Sequence, residues 1–220
     1  MKNSIKDMIL YFKSPQGRKS LKLVTTVGVG IAVVVAGFYF YIAHINRLTY
    51  DKFIQAQKLY LNAASNKEMD KEKLKKAIKL YKEVVNQKFW WGGKEEALFY
   101  LADCLYLLKD YSGSINVLKE FEQRYRKSYF SPWVMLKLAL IYEKTGKFKQ
   151  AIEVYREIVK KYAQSPTAPE ALLGEARCQE ILGDTKEAIR IYQTLVSRYP
   201  LSAQAALGEA KLQDFNRKQG

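Results

Sequence analysis

The chain begins with a polar segment that is followed by a long apolar stretch. Residues 23–43 (LVTTVGVGIAVVVAGFYFYIA) contain no charged side chain over 21 positions. A helix of roughly 20 apolar residues is long enough to cross a bilayer. The apolar core is longer than that of a cleaved signal peptide, and no convincing cleavage site follows it. The pattern predicts an uncleaved transmembrane anchor at residues 23–45, after a basic segment at residues 1–22.

From residue 46 onward the pattern is that of amphipathic helices, with apolar residues at three- and four-residue steps. Between Leu101 and Pro200 this pattern returns every 37 residues. A fixed period of this length is typical of stacked structural repeats. The recurring positions are Ala102, Ala139 and Ala176; Ser114, Ala151 and Ala188; Leu118, Tyr155 and Tyr192; and Tyr125, Tyr162 and Tyr199.

Each repeat is predicted to be a pair of helices. Gly146 and Gly183 interrupt the apolar pattern at the same phase and mark the turn within a pair. A less regular copy with a longer internal turn precedes these repeats over Phe53–Val85. Residues 202–215 form one more helix without a partner, which fits a terminal helix that shields the last repeat. The pattern predicts an all-α domain at residues 46–220.

These repeats resemble the tetratricopeptide repeat (TPR) family. The resemblance rests on the order of small and large residues in the last two full repeats, Leu138, Ala139, Tyr142, Gly146, Ala151 and Tyr155, then Ala176, Gly183, Ala188, Tyr192 and Pro200. It implies a right-handed TPR α-solenoid of about four helix pairs plus a C-terminal capping helix, behind a single N-terminal transmembrane helix.

The period of 37 residues departs from the 34 that are commonest in the family. The additional residues lie in a Tyr-x-x-Ser link, such as Tyr162–Ser165. This link is similar to that of bacterial cell-envelope members that work with the Tol-Pal and barrel-assembly systems. The layout of one span before a repeat domain looks like that of the ancillary subunit of the Sec translocon. The resemblance therefore implies an envelope protein.

The charge distribution predicts the orientation of the anchor. The first 49 residues hold seven basic side chains and one acidic one. Positive charge tends to stay on the cytoplasmic side of a membrane. We therefore expect a cytoplasmic N-terminus, a single pass through the bacterial inner membrane and a periplasmic repeat domain. The rest of the net charge of +15 is mixed with glutamates along the helices, so nucleic acid is not an expected partner.

The residues offer little catalytic chemistry. The single histidine, His44, lies at the edge of the apolar stretch, and the carboxylates show no metal-ligand spacing. Cys104 and Cys178 share one phase of the repeat and are expected to be small core residues. The glycines form no phosphate-binding loop. We expect no enzyme activity, no cofactor and no metal site.

The resemblance implies a concave surface lined by the first helix of each pair, as in the repeat family. The side chains that map there are Phe99, Tyr106, Trp133, Leu136, Leu140, Leu173 and Arg177. An apolar row of this kind suits a helix or an extended segment of a partner protein. The alternatives are that the terminal helix of the same chain, or a second copy in a homodimer, fills the groove.

Two tryptophans stand outside this pattern. Trp90 and Trp91 follow Phe89 and precede a glycine pair, so the three rings cannot all face one side of a helix. They form either a hydrophobic turn between repeats or an exposed anchor for a partner, since tryptophan is enriched at binding hot spots.

Together these features predict a membrane-tethered, chaperone-like scaffold that binds partner or client proteins at an envelope translocation or assembly complex. The alternative is a stoichiometric structural subunit that braces one large membrane complex.

Overall fold

The computed structural model describes residues 10–65, 69–88 and 92–219, and the regular structure in this part of the chain is helical throughout. The chain divides into two compact units. The first contains the described residues up to Tyr50 together with Lys88, and the second contains the other described residues. The helical structure of the described residues confirms the predicted all-α class.

The helices follow one another with short links. They are α1 (Pro15–Ala64), α2 (Lys71–Asn86), α3 (Lys94–Leu107), α4 (Tyr111–Arg124), α5 (Ser131–Lys144), α6 (Phe148–Lys161), α7 (Thr167–Ile181), α8 (Thr185–Arg198) and α9 (Ala203–Gln219).

The first unit is dominated by the apolar half of α1. An 18-residue window of this helix has a mean hydropathy of 2.2, and no residue in the window is buried. By length and composition the helix could cross a membrane. Its exposed side chains include Val24, Val29, Val34 and Phe40.

The second unit is a series of antiparallel helix pairs. The C-terminal part of α1 pairs with α2 through the rings of Phe53 and Tyr81, whose centroids lie 6.1 Å apart. The later pairs are α3 with α4, α5 with α6, and α7 with α8, and each of these helices packs mainly against its neighbours in sequence. Four pairs followed by α9 in the described residues match the predicted TPR arrangement.

The second helix of each pair buries one apolar stripe, and the stripe repeats at the 37-residue period. Its members are Ala77, Tyr81 and Val84; Ser114, Leu118 and Phe121; Ala151, Tyr155 and Ile158; and Ala188, Tyr192 and Leu195, all with no exposed surface. Residues four and then three positions apart share one helix face, so this spacing aligns the stripe with the first helices. The two cysteines, at a repeated position of the first helices, are free thiols and fully buried as expected.

The turn within each of the last three pairs has a residue with a left-handed backbone. Gly146 and Gly183 adopt φ of 75° and 84°, a region that glycine enters without strain. Lys109 occupies the equivalent position in the preceding pair with φ of 64°. Asp110 and Asp184 then cap the following helices, accepting hydrogen bonds from the backbone N–H groups of Gly113 and Glu187.

Helix α9 ends the array with a polar outer face. Ala205 and Gly208 are buried, whereas Glu209 and Gln213 are exposed. In α7 the positions 37 residues earlier, Leu172 and Ala176, are buried instead. Because polar side chains replace the stacking residues here, α9 serves as the predicted capping helix.

Candidate functional site

The first helices of successive pairs (α1, α3, α5, α7 and α9) are joined by carboxylate-centred contacts that we call the polar ladder. Its centres are Asp103 on α3, Glu143 on α5 and Glu180 on α7. Each centre accepts a tyrosine hydroxyl and also pairs with a cation on the next first helix. The ladder therefore runs along the surface that the repeat resemblance assigns to partner binding, here called the first-helix surface.

Asp103 is the most buried centre of the ladder. The hydroxyl of Tyr60 donates to Asp103 at 2.5 Å, and the ammonium of Lys137 pairs with its other oxygen. Burial and the hydrogen bond to Asp103 both raise the pKa of Tyr60. The Lys137 Nζ atom also lies 5.0 Å from the ring centroid of Tyr106, within cation–π range.

Glu143 is the centre with the fullest set of partners. Arg177 donates two hydrogen bonds to it, at 2.9 Å and 3.1 Å, and Tyr155 donates a third at 2.7 Å. The guanidinium of Arg177 also lies 3.6 Å from Glu170. Partial burial acts to lower the pKa of Arg177, but the hydrogen bonds and charge of Glu143 outweigh it and raise that pKa. Arg177 is therefore charged and held in place.

Glu180 extends the ladder to the capping helix. It accepts a hydrogen bond from Tyr192 and pairs with Lys211 of α9 at 3.0 Å. Beside it, Gln204 of α9 donates to Glu170 of α7 at 3.1 Å. The last helix is thus joined to the first-helix surface by the same kind of contact as the full repeats.

An open groove of about 400 Å³ lies over the middle of the ladder. Its apolar walls come from Tyr106, Leu140, Phe148 and Ile181. The Glu143–Arg177 pair and Lys144 supply its polar lining. The groove thus combines apolar contact area with one ion pair and the ammonium of Lys144, and it draws its lining from three successive repeats.

The structure brings together three of the residues predicted for partner binding. Tyr106, Leu140 and Arg177 all line this groove. Trp133 is 37% exposed on the same helix as Leu140. Phe99 is half-buried, and its ring stacks on that of Phe130 with centroids 5.9 Å apart.

Leu136 and Leu173 differ from the expectation that they face a partner. Leu136 is 9% exposed and Leu173 is 5% exposed, so both are core residues. Leu173 packs with Ile191 and Tyr192 of α8 in the last repeat. These two positions lie on the side of the first helices that meets the neighbouring helices, which the repeat phase alone does not reveal. Trp90 and Trp91 lie outside the described residues.

The polar ladder was not predicted from the sequence. Its signal is a carboxylate followed 34 residues later by a cation, as in Asp103 with Lys137 and Glu143 with Arg177. A separation of 34 residues is about one helical turn shorter than the 37-residue period. The cation therefore lies about one turn before the position on the next first helix that is equivalent to the carboxylate. Phe148 was also missed, because it begins a second helix and reaches the groove from there.

The ionisable side chains of this surface are engaged with one another. No group of three or more His, Cys, Asp or Glu residues able to hold a metal occurs in the part of the chain that the structure describes. Burial, and to a lesser extent the hydrogen bond to Glu143, raises the pKa of Tyr155. Burial and the hydrogen bond to Glu180 raise the pKa of Tyr192 in the same way. The tyrosines therefore remain neutral donors, and the carboxylates are engaged by cations.

Two family profiles described as tetratricopeptide repeats match the chain, one over residues 96–128 and the other over residues 136–203. No curated protein sequence matches it. Among solved structures, a tetratricopeptide repeat protein from Parabacteroides merdae ATCC 43184 is similar at a TM-score of 0.58 and 15% identity, over 76% of this chain and 61% of that one. MamA from Desulfovibrio magneticus RS-1 is similar at a TM-score of 0.53 and 16% identity, over 77% and 97% of the two chains. At such identities the likeness concerns the fold.

Proposed function

Since the chain belongs to the tetratricopeptide repeat family, we propose that it is a membrane-tethered scaffold that binds partner or client proteins. The observation that carries this proposal is the groove over the Glu143–Arg177 pair, with its apolar walls accessible to a ligand. Repeat arrays of this kind bind proteins through the surfaces that their stacked units present. A translocation or assembly complex of the bacterial envelope is the setting we propose.

The apolar half of α1 supports the tether. Its side chains from Leu23 to Tyr41 are largely exposed, and the 18-residue apolar window has no buried member. Soluble proteins rarely leave a continuous apolar surface of this length in water. A bilayer would remove that surface from water, and the basic residues before it favour a cytoplasmic N-terminus with the repeats on the periplasmic side.

The groove supports a protein segment as the ligand. Ile181 is 57% exposed there, and it faces the same opening as Tyr106, Leu140 and Phe148. Because Glu143 and Arg177 are already joined, a partner gains apolar contact area without having to neutralise an isolated buried charge. An amphipathic helix or an extended chain with apolar side chains has the matching chemistry.

The proposal is tested by affinity purification of the full chain from detergent-solubilised membranes, followed by quantitative identification of the attached proteins. The test variant carries Leu140→Glu and Ile181→Glu, which place two carboxylates on the walls of the groove. The matched control carries Tyr129→Glu and Leu201→Glu, two exposed apolar residues in the links that precede α5 and α9. We expect the groove variant to lose the partner and the control variant to retain it.

The result also separates the scaffold from a structural subunit. Several partners in sub-stoichiometric amounts support a scaffold, whereas one complex at a fixed ratio indicates the bracing role. Equal recovery of every protein by both variants would contradict binding at the groove. Release of the wild-type chain from membranes by alkaline carbonate would contradict the tether.

A matched pair of cysteine variants tests the orientation. With Cys104 and Cys178 replaced by alanine, a cysteine at Ser197 should react with an impermeant reagent in cells whose outer membrane is permeable. A cysteine at Lys13 should react only after the inner membrane is opened. The reverse labelling pattern would contradict the proposed topology.

A further inference from the structure

The positive charge of the repeat domain is concentrated in its first repeat. Residues 51–94 hold 11 basic and five acidic side chains, a surplus of six. Residues 95–220 hold 19 basic and 16 acidic side chains, a surplus of three. The basic surplus along the helices is therefore uneven, and two thirds of it lies in this repeat.

Most of this surplus lies on one exposed surface of α2. The lysine face consists of the exposed residues Lys71, Lys75, Lys76, Lys79 and Lys82. Lys75 pairs with Glu72 at 2.7 Å, and Glu83 pairs with Lys52 at 2.6 Å. The other four lysines of the face have no ion-pair partner among the residues that the structure describes, so their charge is available to a ligand.

Part of the lysine face borders a groove between the end of α1 and α2. Lys52, Lys79 and Lys82 line it together with Glu83 and the side chains of Asn86 and Gln87. The ammonium of Lys52, with Lys79 beyond it, lowers the pKa of Glu83, which keeps that carboxylate ionised. Three cations and one anion leave a net positive site, and the two amides add neutral hydrogen-bond donors.

The later second helices carry no comparable surface. Helix α2 contains six basic and two acidic residues, whereas α4 contains two of each. Helices α6 and α8 each have a surplus of two. The strongest concentration of charge thus belongs to the repeat that follows the apolar helix in the chain.

We propose that the lysine face of α2 binds the anionic lipid headgroups of the bilayer, as a second membrane contact beside the apolar helix. This inference rests on the membrane tether proposed above. Lysine ammonium groups are attracted to lipid phosphates, and each lysine near an anionic surface strengthens association by about fivefold. Among the repeats, the first is the nearest in sequence to the apolar stretch, since 27 residues separate residue 43 from the start of α2 and most of them continue α1.

Lipid headgroups fit this surface better than nucleic acid does. Proteins that hold single-stranded nucleic acid commonly add aromatic side chains on which the bases stack. The residues lining the α1–α2 groove are lysines, a glutamate and two amides, without an aromatic ring. This set of side chains therefore suits the phosphate of a headgroup better than the bases of a nucleic acid.

The test uses the full chain in nanodiscs, which leave both membrane faces accessible. The reaction rate of each lysine with a soluble amine reagent is measured by mass spectrometry, in phosphatidylcholine discs and in discs that also contain phosphatidylglycerol. We expect all five lysines of the face, Lys71, Lys75, Lys76, Lys79 and Lys82, to react about fivefold more slowly in the anionic discs. The protection should disappear at high salt, because salt screens exposed charges.

Four exposed lysines on later helices serve as an internal control. Lys119, Lys149, Lys160 and Lys186 should react at the same rate in both kinds of disc. A variant with Lys71, Lys76, Lys79 and Lys82 changed to Gln should lose the protection of Lys75. A second variant with the four control lysines changed to Gln carries the same net charge and should keep it.

Equal reaction rates of the α2 lysines in neutral and anionic discs would overturn the proposal. Equal protection of the control lysines would also overturn it, since it would indicate a general charge effect. Stronger protection by an added RNA oligonucleotide than by phosphatidylglycerol would assign the face to nucleic acid instead. Failure of the wild-type chain to assemble into discs would contradict the tether, which is a separate outcome.

Discussion

Arg177 donates two hydrogen bonds to Glu143, a residue 34 positions earlier on the preceding first helix. The same carboxylate accepts a hydrogen bond from Tyr155 in its own pair. One glutamate therefore holds a helix pair together and also joins it to the next pair. This double role couples the packing within the α5–α6 pair to its contact with the first helix of the next pair.

Replacement of Glu143 by Ala should destabilise the chain by about 2 kcal/mol, because hydrogen bonds to charged groups contribute roughly 1.5–3 kcal/mol. A double-mutant cycle with Arg177→Ala should show a coupling energy of about 1 kcal/mol, as contacting residues do. The measurement is urea unfolding of the full chain in detergent. Glu120→Ala, which breaks an exposed pair with Arg124, should cost under about 1 kcal/mol. Additive effects of the Glu143 and Arg177 changes would contradict this account of the ladder.

Gly174 should not tolerate a side chain, because the ring of Tyr155 lies against it. A Cβ atom at this position would be 2.4 Å from Cζ of Tyr155. Overpacking of this kind costs about 1–3 kcal/mol, which exceeds the helix propensity gained by alanine. Gly174→Ala should therefore lower the urea midpoint.

Gly208→Ala is the matched control for that change. The nearest atom to its added Cβ is Cδ2 of Leu195 at 3.3 Å, on a flexible side chain. We expect the free energy of unfolding to stay within about 1 kcal/mol of the wild-type value, because helix propensity offsets the tight contact. Equal losses for the two variants would contradict the close approach at Tyr155.

Tyr81 and Tyr155 occupy equivalent positions in their repeats, but removal of the hydroxyl should change the stability of the fold differently at the two positions. The hydroxyl of Tyr155 donates to Glu143, whereas the buried hydroxyl of Tyr81 has no hydrogen-bond partner among the described residues. Tyr155→Phe should cost about 1–2 kcal/mol, because a charged acceptor loses its donor. Tyr81→Phe should be neutral or stabilising, because a buried unpaired hydroxyl is unfavourable. Thermal unfolding of both variants measures this, and a larger loss for Tyr81→Phe would contradict it.

The cysteines make stability depend on alkaline pH. Burial raises the pKa of Cys104 and of Cys178 from 9.0 to about 12. Because the folded-state pKa is higher than the unfolded one, the unfolded chain loses its thiol protons first. Stability is therefore complete below pH 9 and falls as the pH rises toward 12, by about 1.4 kcal/mol per pH unit for each thiol.

The reaction of the native thiols with a disulfide reagent tests the burial on which this pH dependence rests. At pH 9 the folded chain should react slowly, and the denatured chain should release two equivalents at once. The variant Cys104→Ala should lose stability less steeply above pH 9 than the wild type does. Rapid reaction of both thiols in the folded chain would contradict their burial.

The 37-residue period was sufficient to predict the pairs, the buried stripe and the turns. It succeeds because a repeat core uses the same face of each helix, so that Tyr155 and Tyr192 meet equivalent surroundings. Lys109 shows that glycine alone does not identify every such turn, since the left-handed turn forms there without glycine.

The site could be predicted only in part. The repeat phase identified Tyr106, Leu140 and Arg177, yet it could not separate them from the buried Leu136 and Leu173. That distinction depends on the angle between neighbouring helices, which determines how much of each first helix is covered. The concentration of lysines in the first repeat was hidden for a different reason, because a total charge averages over the whole chain.

Photocrosslinking in intact cells tests the central claim most directly. A photoreactive amino acid is placed at Trp133 or at Ile181, both exposed on the first helices, and at the fully exposed Leu201 as a control. Binding at the first-helix surface predicts a covalent adduct with a partner protein from the first two positions and none from Leu201. Adducts of equal yield from all three positions, or none from Trp133 and Ile181, would contradict it.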